Sequence, residues 1–356
     1  MQSIENNACS VHFNENCYTS LNKLLKKNSF SSIFCLVDTN SSQYCLPIFL
    51  EKLSTTIKIE IIEIGSGEIF KTIETCSEVW KALSDLGADR KSLLINIGGG
   101  VVTDLGGFVA STFKRGIAYV NVPTTLLAMV DASVGGKTGV DLDGLKNQVG
   151  VISNGEMVLI DSVFLNTLPA NQLKSGYAEI LKHGLIDDIN YWKLVSNFKS
   201  TKFNEIDEII YQSVLIKNKV VLEDPYENGL RKVLNFGHTL GHAIETYFIN
   251  STNLGELLHG EAIVIGMIME SFISNKLKML TYEDLKTISQ SLIEIYGKVS
   301  ISREYESDII SLLKFDKKNS HGNINFVLLN GIGKPKIDCN VPENLIKEAF
   351  KFYNDL

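Results

Sequence analysis

The chain has 356 residues, 34 Lys+Arg against 41 Asp+Glu for a formal charge of −7, and 44% hydrophobic residues. That length suits about two domains with sizeable cores, and the composition is far from that of a disordered chain. A net acidic chain has no reserve of positive charge for tracking a nucleic-acid backbone, and no apolar run approaches the ~20 residues of a membrane helix, so neither partner is expected.

The N-terminus, Met1–Asn7, carries Glu5 but no basic region followed by an apolar block, so it does not read as a secretory signal. The six cysteines show no CxxC spacing, and five fall within the first 76 residues. Reduced thiols in a cytoplasmic protein are the expected reading.

Along the first half, short β-branched runs at Ile33–Val37, Ile57–Ile64, Leu93–Ile97, Ala118–Val122 and Val158–Ile160 alternate with helix-like segments at Pro47–Leu53, Ile69–Leu86 and Asp104–Ser111. Nearly continuous apolar strands between helices predict a parallel, Rossmann-like α/β sheet covered on both faces. From about Asn171 the pattern is helical: Gln172–Ile186, Glu205–Leu222, Phe236–Phe248, Glu261–Lys276, Tyr282–Ile295 and Glu343–Tyr353, with one strand-like run at Ile324–Leu329. The expected organisation is an α/β domain over 1–168 and a mostly helical one over 169–356, divided near Thr167-Leu168-Pro169. The active site is expected in the cleft between them.

Twelve of the 27 glycines fall between Gly98 and Gly155. Leu93–Asp104 reads as a strand, a triple-glycine turn (Gly98-Gly99-Gly100) and a helix start, with Asp104 in its first turn. Such a turn lets a diphosphate approach the main chain beside unpaired helical N–H groups. Three more strand ends carry polar groups or glycines: Asp38-Thr39-Asn40, Gly65-Ser66-Gly67-Glu68 and Pro123-Thr124-Thr125. Ligands of open α/β sheets bind at such carboxyl ends, and four of them together predict a dinucleotide site. Gly135-Gly136-Lys137-Thr138 imitates part of a P-loop but lacks the first glycine and a preceding strand, which argues against a nucleoside triphosphatase. Lys137 and Lys146, embedded in glycines beside Asn147, read instead as cations placed for a phosphate or carboxylate.

His238-Thr239-Leu240-Gly241-His242 puts two imidazoles on one helical face, with Gly237 and Gly241 clearing space around them. Thr239 stands where the HExxH protease pattern needs Glu. His259 opens the next helix, and an earlier one carries Glu179, Lys182 and His183. Two histidines and a carboxylate form the ligand set of a catalytic divalent metal such as zinc. Spacing leaves open whether His238 or His242 is the ligand. Arg231, Asn235 and Lys217 approach the same region, and the combination describes a site for a small polyhydroxylated anion.

These segments resemble the 3-dehydroquinate synthase family within the sugar-phosphate cyclases. The resemblance rests on Gly98–Ala110, Arg115-Gly116, Pro123-Thr124-Thr125, Val134–Gly139, Lys146-Asn147, Ser175–Gly184, Asn235–Glu245 and Leu258-His259-Gly260-Glu261, and it covers the chain from about residue 30 onward. It implies a carbon–oxygen lyase that converts 3-deoxy-D-arabino-heptulosonate 7-phosphate to 3-dehydroquinate and phosphate. In this step of the shikimate pathway, transient oxidation by NAD is followed by phosphate elimination, re-reduction and aldol closure. It implies Glu179, His238 and His259 as ligands of zinc or cobalt, with His242 as a polar catalytic partner. NAD would meet Asp38, Glu68, Lys71, Gly100, Asp104, Thr124, Thr125, Lys137, Lys146, Phe164 and Thr167. Substrate would meet Arg115, Asp131, Lys137, Lys146, Asn147, Lys182, Lys217, Arg231, Asn235, His242 and either Lys317 or its neighbour Lys318. A homodimer is implied as well. The loop Asp141–Leu145 and the stretch Ala128–Ser133 depart from the commoner family versions but keep the charged positions. Relatives that make an inosose or a valiolone change the residues facing the substrate carboxylate, and polyol dehydrogenases use a different ligand pattern, so the carboxylated heptulosonate is the expected substrate.

Overall fold

The computed structural model describes residues 1–5, 9–143, 145–197, 203–251, 254–255, 257–313 and 324–356, with backbone only at 203–205. The chain divides into two compact units, Met1–Leu173 and Lys174–Leu356.

The first unit runs β1 (Ser10–Phe13), α1 (Glu15–Lys27), β2 (Ile33–Asp38), α2 (Thr39–Tyr44), α3 (Leu46–Lys52), β3 (Ile59–Ile64), α4 (Ile73–Asp85), β4 (Leu93–Gly98), α5 (Gly100–Thr112), β5 (Ala118–Pro123), β6 (Lys137–Leu142), β7 (Leu145–Ile152) and β8 (Met157–Ile160). Six strands form one sheet in the order β1-β8-β5-β4-β2-β3, and its pairings are parallel. The apolar runs of β4 and of Ile33–Val37 in β2 are buried throughout, as expected of central strands covered on both faces. At the sheet edge, β3 interleaves Glu60 and Glu63 with its isoleucines, charges that discourage pairing with another chain.

The strand order reverses between β2 and β4: β3 lies on one side, and β4, β5 and β8 follow on the other. That reversal opens a crevice at the carboxyl ends of β2 and β4, where Asp38 and Gly98 stand.

Two boundaries differ from the periodicity reading. The segment expected as one helix over 69–86 is a short 3-10 turn, Glu68–Phe70, and then α4; the Thr72 hydroxyl accepts from Thr75 N–H and starts the second element. Helix α5 begins at Gly100, so Asp104 lies one turn beyond the helix start rather than in its first turn. Glycine's low helix propensity hides that first turn from the sequence. The stretch after Gly135-Gly136 forms the antiparallel hairpin β6–β7, and a strand where a P-loop needs a helix removes that resemblance.

The second unit follows within α6 (Ala170–Ile186) and continues α7 (Ile189–Ser196), α8 (Phe203–Glu223), α9 (His238–Asn250), α10 (His259–Lys276), α11 (Tyr282–Tyr296), α12 (Glu306–Leu312), the hairpin strands β9 (Asn325–Leu329) and β10 (Pro335–Asn340), and α13 (Glu343–Asp355). Helix α10 is its axis. From Gly260 to Ser274 every residue except Glu261 is buried, and α9, α11, α13 and β9 pack around it. A helix apolar on all sides belongs in such a core. Among the described residues no helix is long and apolar enough to cross a membrane.

Helices α9 and α10 touch through glycines. A Cβ on Gly266 would lie 1.9 Å from the Gly237 carbonyl oxygen, and one on Gly237, whose φ is +79°, would lie 2.4 Å from Met267 Cγ. Gly237 and Gly241 therefore clear space between two helices, not around the imidazoles. The buried carboxylate of Glu270 on α10 accepts the Gly237 and Leu240 N–H groups at 2.6 and 3.2 Å, closing the N-terminus of α9.

Candidate metal centre and dinucleotide site

Three elements of the second unit supply the metal-like cluster. Glu179 is in α6, His238 is the first residue of α9 and His259 the first of α10. Gly260 seats α10 against α6: its N–H donates to Ser175 Oγ at 2.9 Å, and a Cβ there would meet the Ser175 carbonyl oxygen at 2.1 Å.

Ligand atoms of Glu179, His238 and His259 all lie within 4.8 Å of one another. Glu179 Oε1 faces His238 Nε2 at 3.4 Å and His259 Nε2 at 3.6 Å. That oxygen is buried and makes no hydrogen bond, while Oε2 accepts from Lys182 Nζ. The far nitrogens are tied off. His238 Nδ1 stands 3.1 Å from the Phe236 carbonyl oxygen, and His259 Nδ1 stands 3.3 Å from Glu245 Oε2. A carbonyl oxygen only accepts, so His238 carries a proton on Nδ1 and faces Glu179 with Nε2. An orphaned carboxylate oxygen opposite two imidazole nitrogens is a donor set that fits a divalent cation.

Electrostatics agree. Burial opposes the charge on Glu179, but Lys182 and then His238 hold its carboxyl well below the usual range. Burial also works against charge on His259, but Glu245, followed by Glu179, raises it to about 9. The pocket is built for positive charge.

His242 lies one turn beyond His238, its ring 5.1 Å from that of His238 and 5.8 Å from that of His259. Geometry thus separates the two histidines that spacing left equivalent, since His238 is the one facing Glu179. Lys182, which reaches Glu179, is buried, and so are Lys217 and Arg231. Arg231 and Asn235 stand on the 3-10 turn Leu230–Asn235 that leads into α9. That approach is organised by two acids spacing did not single out. Asp224 accepts the N–H groups of Asn228, Gly229 and Arg231 at 2.7–3.0 Å, and Glu227 accepts from Asn235 Nδ2 at 2.8 Å. Glu245 and Glu270 were likewise unmarked; only the His-x-x-Glu spacing of His242 and Glu245 hinted at the first. Lys317 and Lys318 lie outside the described residues.

In the first unit, Asp38, Gly100, Thr124 and Thr125 end or directly follow parallel strands and so share the carboxyl edge of the sheet, while Glu68, Lys71 and Asp104 lie further along the connections after β3 and β4. Gly99 caps α5, and a Cβ there would lie 3.0 Å from Thr125 Cγ2, so a larger residue would narrow the turn. Thr124 is buried, its N–H donating to the Gly98 carbonyl at 2.9 Å. Asp38 caps α2, accepting the Ser41 N–H at 2.7 Å. Lys71 is buried, and its Nζ donates to Asp104 Oδ2 and Asn147 Oδ1, both at 2.7 Å. Burial opposes its charge, but Asp104 and Glu68 keep the ammonium protonated.

Other expected contacts are placed differently. Lys137 opens β6 and pairs in register with Ile152, whereas Lys146 lies near the far end of the hairpin, 3.7 Å from Glu68. The hairpin keeps the two lysines roughly 13 Å apart along the strands rather than converging. Asp131 sits in the π-helical turn Ala128–Ala132. Phe164 is only 1% exposed, packed into the core, so it has little but backbone to offer a ligand. Thr167, three residues on, is exposed. Arg115 is also exposed, at φ +70°, on the turn before β5 starts, whereas Thr124 follows the end of β5. A six-residue strand puts Arg115 about 20 Å from the edge that carries the glycine turn, so its own unit does not bring it there.

Known proteins match over both units. Residues 61–175 match the family described as 3-dehydroquinate synthase N-terminal, and residues 176–319 match 3-dehydroquinate synthase C-terminal. The 3-dehydroquinate synthase of Parabacteroides distasonis is 39% identical over 339 residues, covering 95% of each chain. Among solved structures, a 2-deoxy-scyllo-inosose synthase complexed with carbaglucose-6-phosphate, NAD+ and Co2+ is 27% identical, with a TM-score of 0.84 over 97% of this chain and 96% of its own. A 2-epi-5-epi-valiolone synthase from Streptomyces hygroscopicus with NAD+ and Zn2+ bound is 25% identical, with a TM-score of 0.85 over 100% and 99%.

Proposed function

The chain belongs to the 3-dehydroquinate synthase family, and from that premise we propose which of its residues carry the reaction. The enzyme is a carbon–oxygen lyase that converts 3-deoxy-D-arabino-heptulosonate 7-phosphate to 3-dehydroquinate and phosphate, using NAD and a divalent cation. The cation ligands are Glu179, His238 and His259. The observation that carries this assignment is the buried Glu179 Oε1, which makes no hydrogen bond and faces both Nε2 atoms.

When bound, the cation supplies Lewis acidity to a substrate alcohol and NAD a reversible hydride acceptor. The chain's own groups hold the substrate. Lys182, buried beside Glu179, provides a point charge at the centre of the cluster. Lys217 and Arg231 answer the two anionic ends of the substrate, where a guanidinium can engage an oxyanion with two N–H groups. Asn235, steadied by Glu227, hydrogen-bonds a hydroxyl, and His242 is the side chain available to exchange a proton. Because the later steps are intramolecular, orientation by these groups substitutes for a series of separate bases.

The first unit is the NAD-binding one in this reading. Gly98–Gly100 with the N-terminus of α5 receive the diphosphate, while Asp38, Thr124 and Thr125 line the crevice at the strand reversal. Glu68, Lys71, Asp104, Lys137, Lys146 and Thr167 complete it; Phe164 contributes through backbone alone. Lys71 serves by fixing Asp104 and Asn147. Asp131 and Asn147 remain substrate contacts by family resemblance.

A cytoplasmic homodimer completes the proposal. The six cysteines form no disulfide, which suits a reducing compartment, and Leu142, Leu145, Val151 and Ile152 are exposed apolar side chains on the β6–β7 hairpin that a second copy would cover.

The test is an assay of purified protein for inorganic phosphate and dehydroquinate, with and without chelator. Turnover should need metal and a trace of NAD and leave no net NADH; turnover insensitive to chelator would overturn the metal assignment.

A further inference from the structure

The histidine cluster contains a second grouping. Ligand atoms of His242, Glu245 and His259 also lie within 4.8 Å of one another. His242 and Glu245 are three residues apart on α9, which brings them to one side of the helix. His259 faces this pair with the opposite edge of its ring: Nδ1 stands 3.3 Å from Glu245 Oε2, while Nε2 faces Glu179 at 3.6 Å. One imidazole therefore stands between two carboxylates, each accompanied by another histidine, and both groupings are the two-histidine, one-carboxylate set of zinc sites.

We propose that His242, Glu245 and Nδ1 of His259 form a second divalent-cation site, filled only when metal exceeds one ion per chain and inhibitory when filled. The inference rests on the proposed function for the identity of the first site.

The order of filling follows from geometry: the Nε2 edge faces a buried carboxylate oxygen that makes no hydrogen bond, whereas the Nδ1 edge is already engaged by Glu245. With a cation on Nε2, the Nδ1 proton stays in its hydrogen bond to Glu245, the outer arrangement that steadies a metal-bound histidine. A cation on the other edge must displace that proton, which passes to solvent as the new bond to nitrogen forms. The second ion therefore binds more weakly and releases a proton. It inhibits by occupying His242, a group that would otherwise face substrate. The His259 side chain is 23% exposed, so the ring is within reach of solvent.

Titration of metal-free, full-length protein with Co2+, followed by visible absorption and by proton release, tests the proposal. Two phases are expected: the first accompanies activation, and the second is weaker, releases one proton per ion and accompanies inhibition. His242→Gln should leave the first phase in place and weaken the second by roughly 10–100-fold. Glu179→Gln should remove the first phase, and its failure to do so would overturn the ligand assignment of the proposed function instead. A single phase of one ion per chain up to millimolar Co2+, or a second phase untouched by His242→Gln, would sink the second site.

Discussion

The two histidines one turn apart on α9 differ in what holds them. His238 presents Nε2 to Glu179 because its Nδ1–H donates to the Phe236 carbonyl, and His259 is held in the same sense by Glu245. Replacing Glu245 by Gln keeps a hydrogen-bond partner but removes the charge. Metal affinity should then fall roughly 10–100-fold with the circular dichroism spectrum unchanged, as measured by competition with a chromophoric chelator. His259→Ala should remove bound metal and activity together while leaving the fold intact; full metal occupancy in that variant would count against the assignment. The pH dependence has a definite sign. In the metal-free chain Glu245 and Glu179 raise His259 to about 9, above its unfolded value, so its contribution to stability is present at pH 6 and fades as pH rises through about 9. Metal must displace that proton, so apparent metal affinity should climb as pH goes from 6 to 9, by about tenfold per unit. Affinity flat across that range would contradict a charged His259.

At the scale of elements, the metal cluster depends on how closely α9 and α10 approach. Gly237, Gly241 and Gly266 allow that approach, and Glu270 closes the resulting helix start. Gly266→Ala would push a methyl into the Gly237 carbonyl, where the neighbour is backbone and cannot swing aside. A loss of about 1–3 kcal/mol is expected, read from the urea midpoint, together with weaker metal binding because His238 moves with α9. Unchanged stability would mean the helices part freely. In the first unit, the β6–β7 hairpin plays the corresponding part. It carries Asn147 to Lys71, and so couples the glycine-rich segment to the charges after β3.

For the whole molecule, substrate choice follows from charge. In the proposed assignment Lys217 and Arg231 divide between the substrate's carboxylate and its phosphate. Glucose 6-phosphate and sedoheptulose 7-phosphate, which lack the carboxylate, should give no cyclic product under conditions where the heptulosonate phosphate is consumed. Chromatography of the three reactions checks this, and comparable turnover of all three would remove the argument from Lys217 and Arg231.

Much of this was legible in the chain itself. Apolar runs of β-branched residues fixed β2, β4 and β5 as parallel strands, because a strand covered on both faces has to be apolar throughout. Polar residues and glycines at their ends marked the ligand edge, since backbone approach to a diphosphate demands glycine. Three histidines close together in a chain with six marked a candidate metal centre. Tertiary structure alone decided the rest. Whether His238 or His242 faces Glu179 depends on a carbonyl two residues back and a carboxylate on another helix, and no spacing rule encodes that. Lys137 and Lys146 look like neighbours in sequence, yet strand pairing holds them at opposite ends of a hairpin. Gly237 and Gly241 seemed to clear space around the imidazoles and instead make room for a helix. A sequence records which groups are available, whereas which of them meet is settled by packing between elements distant along the chain.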